Sequence, residues 1–298
     1  MNTIDNIKER FNQLRSTNGT SPLTGIEKSA FDLFNKLGIP TAKHEEWKYT
    51  RVSSLFNKEF DFAHDRYQAA ITSREVDAVR LPNHQEANEL VFVNGLYSPS
   101  LSKIISPDLV VTSLEEAAKN DYREIVSQHL GHSGKYLKDG IHALNTAFVQ
   151  YGVFVYLGKG VTVEHPVYIY QITDARTRNI LSQPRSLIYI SENSEIDIAE
   201  TYATLGVAES FTNQVMEVVI EKDAHVEYYK IQNDAAHTNQ VSTTHFRQIG
   251  KSILHTVTIS LNGGIVRNNL NIAMEAEHSE ANLHGLYFIK GNTHVDNH

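Results

Sequence analysis

Three side chains close together in the sequence have the types and spacing of a metal site. In His294-Val295-Asp296-Asn297-His298, a strand would turn two imidazoles and a carboxylate to one face. Neutral imidazole with a carboxylate suits a divalent transition ion. A straight strand spreads three such ligands over about 13 Å, so one ion would need the strand to bend. Unbent, the segment is a polar strand face carrying hydrogen-bonded histidines.

Other motifs with chemical overtones each miss a required residue. Gly250-Lys251-Ser252 has the tail of a phosphate loop, but the first glycine of that motif would fall on His245. The segment also lies between strands rather than opening a helix, so it reads as a turn, and the chain is expected to hydrolyse no ATP by itself. Gly131-His132-Ser133-Gly134 lacks the Gly-x-Ser-x-Gly frame of a nucleophile elbow. His44-Glu45-Glu46-Trp47-Lys48 lacks the second histidine of a zincin helix. Trp47, the one tryptophan, sits among charges and reads as a packing anchor with a polar handle.

Composition narrows the chemistry further. The 298 residues include no cysteine, which excludes disulfides, thiolate zinc sites, cysteine nucleophiles and a thiolate-held cluster on this chain alone. The formal charge is −8, against a binder that neutralises nucleic-acid phosphates. At 41% hydrophobic and 21% charged, the chain is globular rather than disordered. Its first residues, MNTIDNIKERFNQLR, are amphipathic and charged, without the apolar core of a signal peptide. No apolar run approaches the ~20 residues of a membrane span, so a cytoplasmic protein is expected. Asn18-Gly19-Thr20 then reads as a turn rather than a glycosylation site.

The elements that must position these residues fall into two regions, 1–145 and 146–298. The first is mixed and mostly helical. Thr24-Gly25-Ile26-Glu27 has capping-box spacing, followed by Ala30, Phe31, Phe34 and Leu37 at helical intervals and stopped by Gly38 and Pro40. Ser113-Leu114-Glu115-Glu116 opens a second helical stretch toward Gly131. Between them, Leu90 to Tyr97 is strand, Asn-Gly turn and strand, a hairpin signal. Residues from Asp61 to Asn88 are polar and irregular and read as loop.

The second region alternates with period two. Runs starting at Val155, Ile190 and Ile220 each show an apolar residue followed six later by a fresh alternation, with a fainter copy at 250–257. Such a loose repeat with small polar corners fits coils of a β-solenoid better than a hairpin-rich sandwich. Val161, Val163, Ile196, Ile198, Val226 and Tyr228 are the expected stacked positions.

Several strings, in order along the chain, resemble the SufB/SufD family of iron–sulfur cluster assembly proteins, and its SufD branch in particular. They are Glu45-Glu46-Trp47-Lys48-Tyr49-Thr50, Ser113 to Ala118, Ala143 to Phe148, Gly152 to Val161, Arg267 to Leu270, Gly285-Leu286-Tyr287 and His294 to His298. The resemblance implies a right-handed parallel β-helix behind a helical N-terminal region. It implies a scaffold subunit acting with a homologous SufB-type scaffold and a SufC-type ABC ATPase, or pairing as a homodimer, with no nucleic acid or membrane partner. No cofactor is then expected on this chain alone, only a transient iron–sulfur cluster in the complex. The family places its later coils at the contact between scaffolds, so His294, Asp296 and His298 become candidate ligands for iron held between subunits.

The sequence stops at His298 inside a coil motif, without a cap. It is therefore expected to lack further coils, the helices that hold the ATPase, and a histidine that the family places near the cluster. The open end, residues 283–298, is expected to self-associate. The competing function is a β-helix carbohydrate-active or sugar-binding protein, which would need clustered carboxylates along an aromatic groove; a histidine-based metal-handling protein is a third.

Overall fold

The computed structural model describes residues 3–17, 21–62 and 71–298; the Asn18-Gly19-Thr20 turn lies outside them. Helices α1 (Thr3–Thr17) and α2 (Thr24–Leu37) join through apolar faces, with Phe11 and Phe31 stacked at 3.7 Å between centroids. The expected capping box at Thr24 does not form. Leu23 precedes the helix, no side chain caps it, and Glu27 is buried beside Ala30 and Phe31. Helical spacing puts Glu27 on the apolar face, and burial pushes its carboxyl up to about 7.

Strand β1 (Asp61–Phe62), helix α3 (Ser73–Asp77) and strands β2 (Asn88–Val93) and β3 (Leu96–Tyr97) follow. The stretch read as loop thus contains a strand and a one-turn helix, part of it lying outside the described residues. Five residues are too few for a helical period; the legible sign was the Thr72–Glu75 capping box, which does form. The Asn94-Gly95 hairpin forms as expected, with Phe92 opposite Tyr97 and both turn residues at positive φ, 51° and 84°. A side chain at Gly95 would also meet the Gln183 amide nitrogen at 2.6 Å.

Beyond strand β4 (Leu109–Ser113), the helical stretch expected to reach Gly131 breaks at Asn120 into α4 (Leu114–Lys119) and α5 (Arg123–His129). Ser113 caps α4 by accepting the Glu116 N–H at 3.1 Å. Helix α6 (Gly140–Ala147) is capped by Asp139, which accepts the His142 N–H at 2.9 Å. Gly140 lies so close to Gly38 that a Cβ there would fall 1.8 Å from the Gly38 carbonyl oxygen.

The remaining strands are β5 (Val153–Leu157), β6 (Val167–Ala175), β7 (Ile180–Ser182), β8 (Arg185–Ile190), β9 (Glu195–Gly206), β10 (Ser210–Ile220), β11 (His225–Asn233), β12 (Thr238–Gln248), β13 (Ile253–Asn262), β14 (Ile265–Met274), β15 (Glu280–Tyr287) and β16 (His294–Asn297). They form a parallel β-solenoid of about five turns with two sheets. One runs β16-β14-β12-β10-β8-β5-β4, with β1 and β7 beside it; the other runs β15-β13-β11-β9-β6-β2-β3. Ile196 and Val226 pair in one row, as the periodicity predicts, and Leu254 and Ala281 continue it. Of the expected stacked positions, Val163, Ile196, Ile198, Val226 and Tyr228 are buried and Val161 is partly so. The first repeat start is corrected: Ile190 pairs with Leu157, not Val155. A slip of two residues keeps every side chain on its own face, so alternation alone could not detect it.

The solenoid interior is apolar at one corner, around Ile190, Ile196, Ile220 and Val226, and polar at the other. There Glu200 accepts from Gln171, Gln214 and the Tyr228 hydroxyl at 3.1, 3.1 and 2.6 Å. Lys230 donates to Ser242 and Thr244, both at 2.9 Å, and burial lowers its amine to about 8. Such groups are tolerated inside because each has partners.

The outer faces differ. Helices α1, α2 and α6 cover the first sheet around Leu181, Phe211 and Val241, while α4 and α5 cover Phe154, Leu187, Tyr189 and Val219. Along β9 and β11 of the second sheet, buried and more exposed residues alternate, which leaves the outer face there to solvent, whereas Ile71 and Val76 cover Val91, Tyr170 and Ile172 on β2 and β6. Among the described residues, no helix is long and apolar enough to cross a membrane.

Candidate functional site

Two strings far apart in sequence meet at the outer face of the first sheet. The 45–50 segment folds as a short turn of helix that buries Trp47. The Arg267 guanidinium lies 4.2 Å from the Trp47 ring centroid, a cation–π contact. Arg267 also donates to Asp296 at 2.5 Å and to Asn269 at 3.0 Å. The Thr50 hydroxyl hydrogen-bonds Asp296 and lies 3.3 Å from His294 Nε2. His298 Nε2 stands 2.7 Å from Glu46.

Glu46, Trp47, Arg267 and His298 line a cleft of about 350 Å³ together with Tyr136, Lys138 and Asp139. Asp139 is raised above the usual carboxylate range by burial. His294, Asp296 and His298 do share a face, as strand alternation requires. Their ligand atoms do not converge, however: Asp296 is taken by Arg267 and Thr50, and His298 by Glu46. In this chain the arrangement is a clasp between the N-terminal region and the late coils. Thr50→Val, which removes a fully buried hydroxyl at constant volume, is expected to cost about 1–2 kcal/mol in urea unfolding.

A second cluster gathers residues that sequence motifs did not connect. Glu217 on β10 and Arg185 on β8 form an ion pair with both side chains buried. The loop read as a failed nucleophile elbow clamps that carboxylate. Gly131 N–H donates at 2.8 Å, and Ser133 donates through N–H at 2.7 Å and its hydroxyl at 2.6 Å. Burial would raise the Glu217 carboxyl; the Arg185 charge and the Ser133 and Gly131 donors outweigh it and hold the group at about 2.

His142 Nε2 lies 2.9 Å from the Ser133 hydroxyl. That hydroxyl has one proton, given to Glu217, so His142 must donate its own. Serine, histidine and carboxylate are therefore all present, but the carboxylate sits on the serine rather than orienting the histidine, and Ser133 is 0% exposed. Nothing here activates the serine as a nucleophile.

Nearby, His132 Nδ1 and His245 Nε2 are 2.9 Å apart and share one proton. Arg247 joins His129 at 2.9 Å and Glu275 at 2.8 Å. Burial is the first cause that lowers His142 to about 3 and His129 and His245 to about 4. All three are neutral at pH 7. The cluster holds the 131–142 loop to the solenoid. Its sequence trace was slight: single polar residues at alternate positions of β8, β10 and β12, one coil apart.

Comparison with known proteins covers the whole of this architecture. A family model described as "SufBD protein N-terminal region" matches residues 4–169, and one described as "SUF system FeS cluster assembly, SufBD core domain" matches residues 171–298. An iron–sulfur cluster assembly SufBD family protein of Synechocystis sp. is 25% identical over 312 residues, covering 99% of this chain and 66% of that protein. The iron–sulfur cluster assembly protein SufD of Escherichia coli is 24% identical over 260 residues, 84% of this chain and 56% of its own length. The chloroplast protein ABCI7 of Arabidopsis thaliana is 23% identical over 270 residues, 86% of this chain and 54% of its own. The chain thus spans between 54% and 66% of the length of these relatives.

Proposed function

The chain belongs to the SufBD family of SUF-system iron–sulfur cluster assembly proteins, and from that membership we propose that it acts as a non-catalytic, SufD-like scaffold subunit. Its partners in this reading are a homologous SufB-type scaffold and a SufC-type ABC ATPase. ATP hydrolysis belongs to the ATPase, and the iron–sulfur cluster is the cargo of the complex rather than a resident of this chain. The single observation that carries the proposal is the pair of family matches, end to end across both regions.

The residues support the same division of labour. These 298 residues contain no cysteine and offer no thiolate to a cluster or to sulfur, which agrees with a partner that supplies them. The Ser133–His142–Glu217 contact is sealed and wrongly ordered for nucleophilic work. His294, Asp296 and His298 are proposed as residues near the contact with the second scaffold, where a partner's approach could free them from Arg267, Thr50 and Glu46 to assist iron.

Tagging the protein at its N-terminus in its own gene and isolating it anaerobically tests the reading. The expected complex contains an ABC ATPase and a cysteine-bearing homologous scaffold, and it assembles a cluster from ferrous iron and a sulfur donor. A protein that purifies without either partner, and leaves cluster yield unchanged when it is added back to them, would overturn the proposal.

A further inference from the structure

The outer face of the second sheet carries a constellation distinct from both clusters described above. His225 and Glu227 are two apart on β11, so strand alternation turns both outward. His255 on β13 pairs in register with Glu227, one coil further along. One ligand atom from each lies within 4.8 Å of the others. His255 Nδ1 is 2.8 Å and His225 Nε2 3.3 Å from the same Glu227 oxygen, Oε1.

Two details set this group apart from an ordinary surface ion pair. His225 Nε2 is a buried atom, yet it makes no hydrogen bond among the described residues, although it lies 3.3 Å from the carboxylate. The other carboxylate oxygen, Oε2, accepts the Tyr229 hydroxyl at 3.1 Å, which fixes the carboxylate plane and keeps Oε1 toward the histidines. Three donor atoms therefore lie within 4.8 Å of one another, one of them without a hydrogen bond, with a hydrogen bond on the far carboxylate oxygen.

We propose that His225, Glu227 and His255 form a binding site for a divalent first-row transition ion of the zinc or ferrous type. Two imidazole nitrogens and one carboxylate oxygen suit these ions and not the harder magnesium or calcium. Ligand bonds of about 2.0–2.2 Å place donor atoms roughly 3–4 Å apart, so small side-chain rotations close the site. The ion replaces the proton between His255 Nδ1 and Glu227, which moves to His255 Nε2 by exchange with solvent, and it takes up the His225 nitrogen that makes no hydrogen bond. Because the face is open to solvent, the remaining coordination positions go to water or to a group presented from outside. The spacing of these ligands is structurally the converse of the 294–298 set. Two come from one strand and the third from the next coil, which makes them converge where three on one strand cannot. This proposal does not depend on the scaffold reading.

The test uses the full 298-residue chain without a histidine tag, stripped with a chelator. Titration with Zn²⁺ followed by calorimetry, and with Co²⁺ followed by its visible absorption, should give one equivalent bound. His225→Ala and His255→Ala should each weaken binding by about 100-fold or more, and Tyr229→Phe by about tenfold. The paired change His294→Ala and His298→Ala should leave it unchanged. Unaltered circular dichroism in each variant separates loss of ligands from loss of fold. No stoichiometric uptake by the parent chain, or uptake that survives His225→Ala with His255→Ala but disappears with the His294 and His298 changes, would overturn the proposal.

Discussion

Arg185→Leu is expected to destabilise the protein by about 3–5 kcal/mol, because it leaves the Glu217 carboxylate buried without its counter-charge. For a chain of this size that corresponds to a fall in Tm of roughly 6–20 °C, measurable by scanning calorimetry. The loss should be larger than that of Ser133→Ala, which removes one of three donors from the 131–133 loop and leaves the ion pair in place. Joining Arg185→Leu to Glu217→Leu should recover part of the stability, since an uncompensated charge costs more than an apolar pair. Recovery stays incomplete because the Gly131 and Ser133 N–H groups then lose their acceptor. An Arg185→Leu protein within about 1 kcal/mol of the parent would show that Glu217 is not held by this pair.

The second large effect is acid lability above the range where carboxylates titrate. Buried His129, His142 and His245 have folded values of about 4, 3 and 4, below the 6.5 of an ordinary histidine. The groups they face are Arg185, Glu217, Ser133, His132, Arg247 and Glu275. The unfolded chain takes up protons first as pH falls through 6.5, so stability must fall with it, by about 1.4 kcal/mol per pH unit for each histidine at most. Glu27 works the other way: its folded value of about 7 lies above its unfolded 4.5, so it gains stability over the same interval. Three histidines less one carboxylate leave a net slope of about 2.4 kcal/mol per unit between pH 6 and 5. Below 4.5 the Glu217 contribution is also lost, since its folded value of about 2 is depressed. Urea midpoints across pH 7 to 4 measure this slope, and His245→Gln should reduce it by about one proton's worth. A midpoint that stays level from pH 6.5 to 5 would refute the assignment of these histidines as buried and neutral.

Both effects arise where the sequence was least informative. Alternation in β9 and β11 was legible because their outer face meets water, so buried and more exposed positions alternate along them. In the first sheet, β8 and β10 are covered on both sides and buried at every position. There, period two carries no signal for which polar residue faces inward and which meets the helices. Glu217 and Arg185 therefore look in sequence like any charged residues, and only the coil-to-coil register places them together beneath Gly131 and Ser133. The same reason explains the metal candidates. His294, Asp296 and His298 are neighbours in sequence, which made them visible, whereas the convergence of His255 with His225 and Glu227 depends on pairing across coils.

Local chemistry in the sequence determined the Asn94-Gly95 hairpin, the Ser113 cap, the rows of Ile196, Val226 and Leu254, the anchor role of Trp47 and the absence of thiolate chemistry. Each depends on a residue's own backbone preference, its spacing along one segment, or its atoms. Tertiary structure alone decided that Ile190 would pair with Leu157 and that Arg267 would bind Trp47 and Asp296 together. Those outcomes come from desolvation and from hydrogen-bond register between segments. Both act between residues far apart along the chain, where local spacing imposes no constraint.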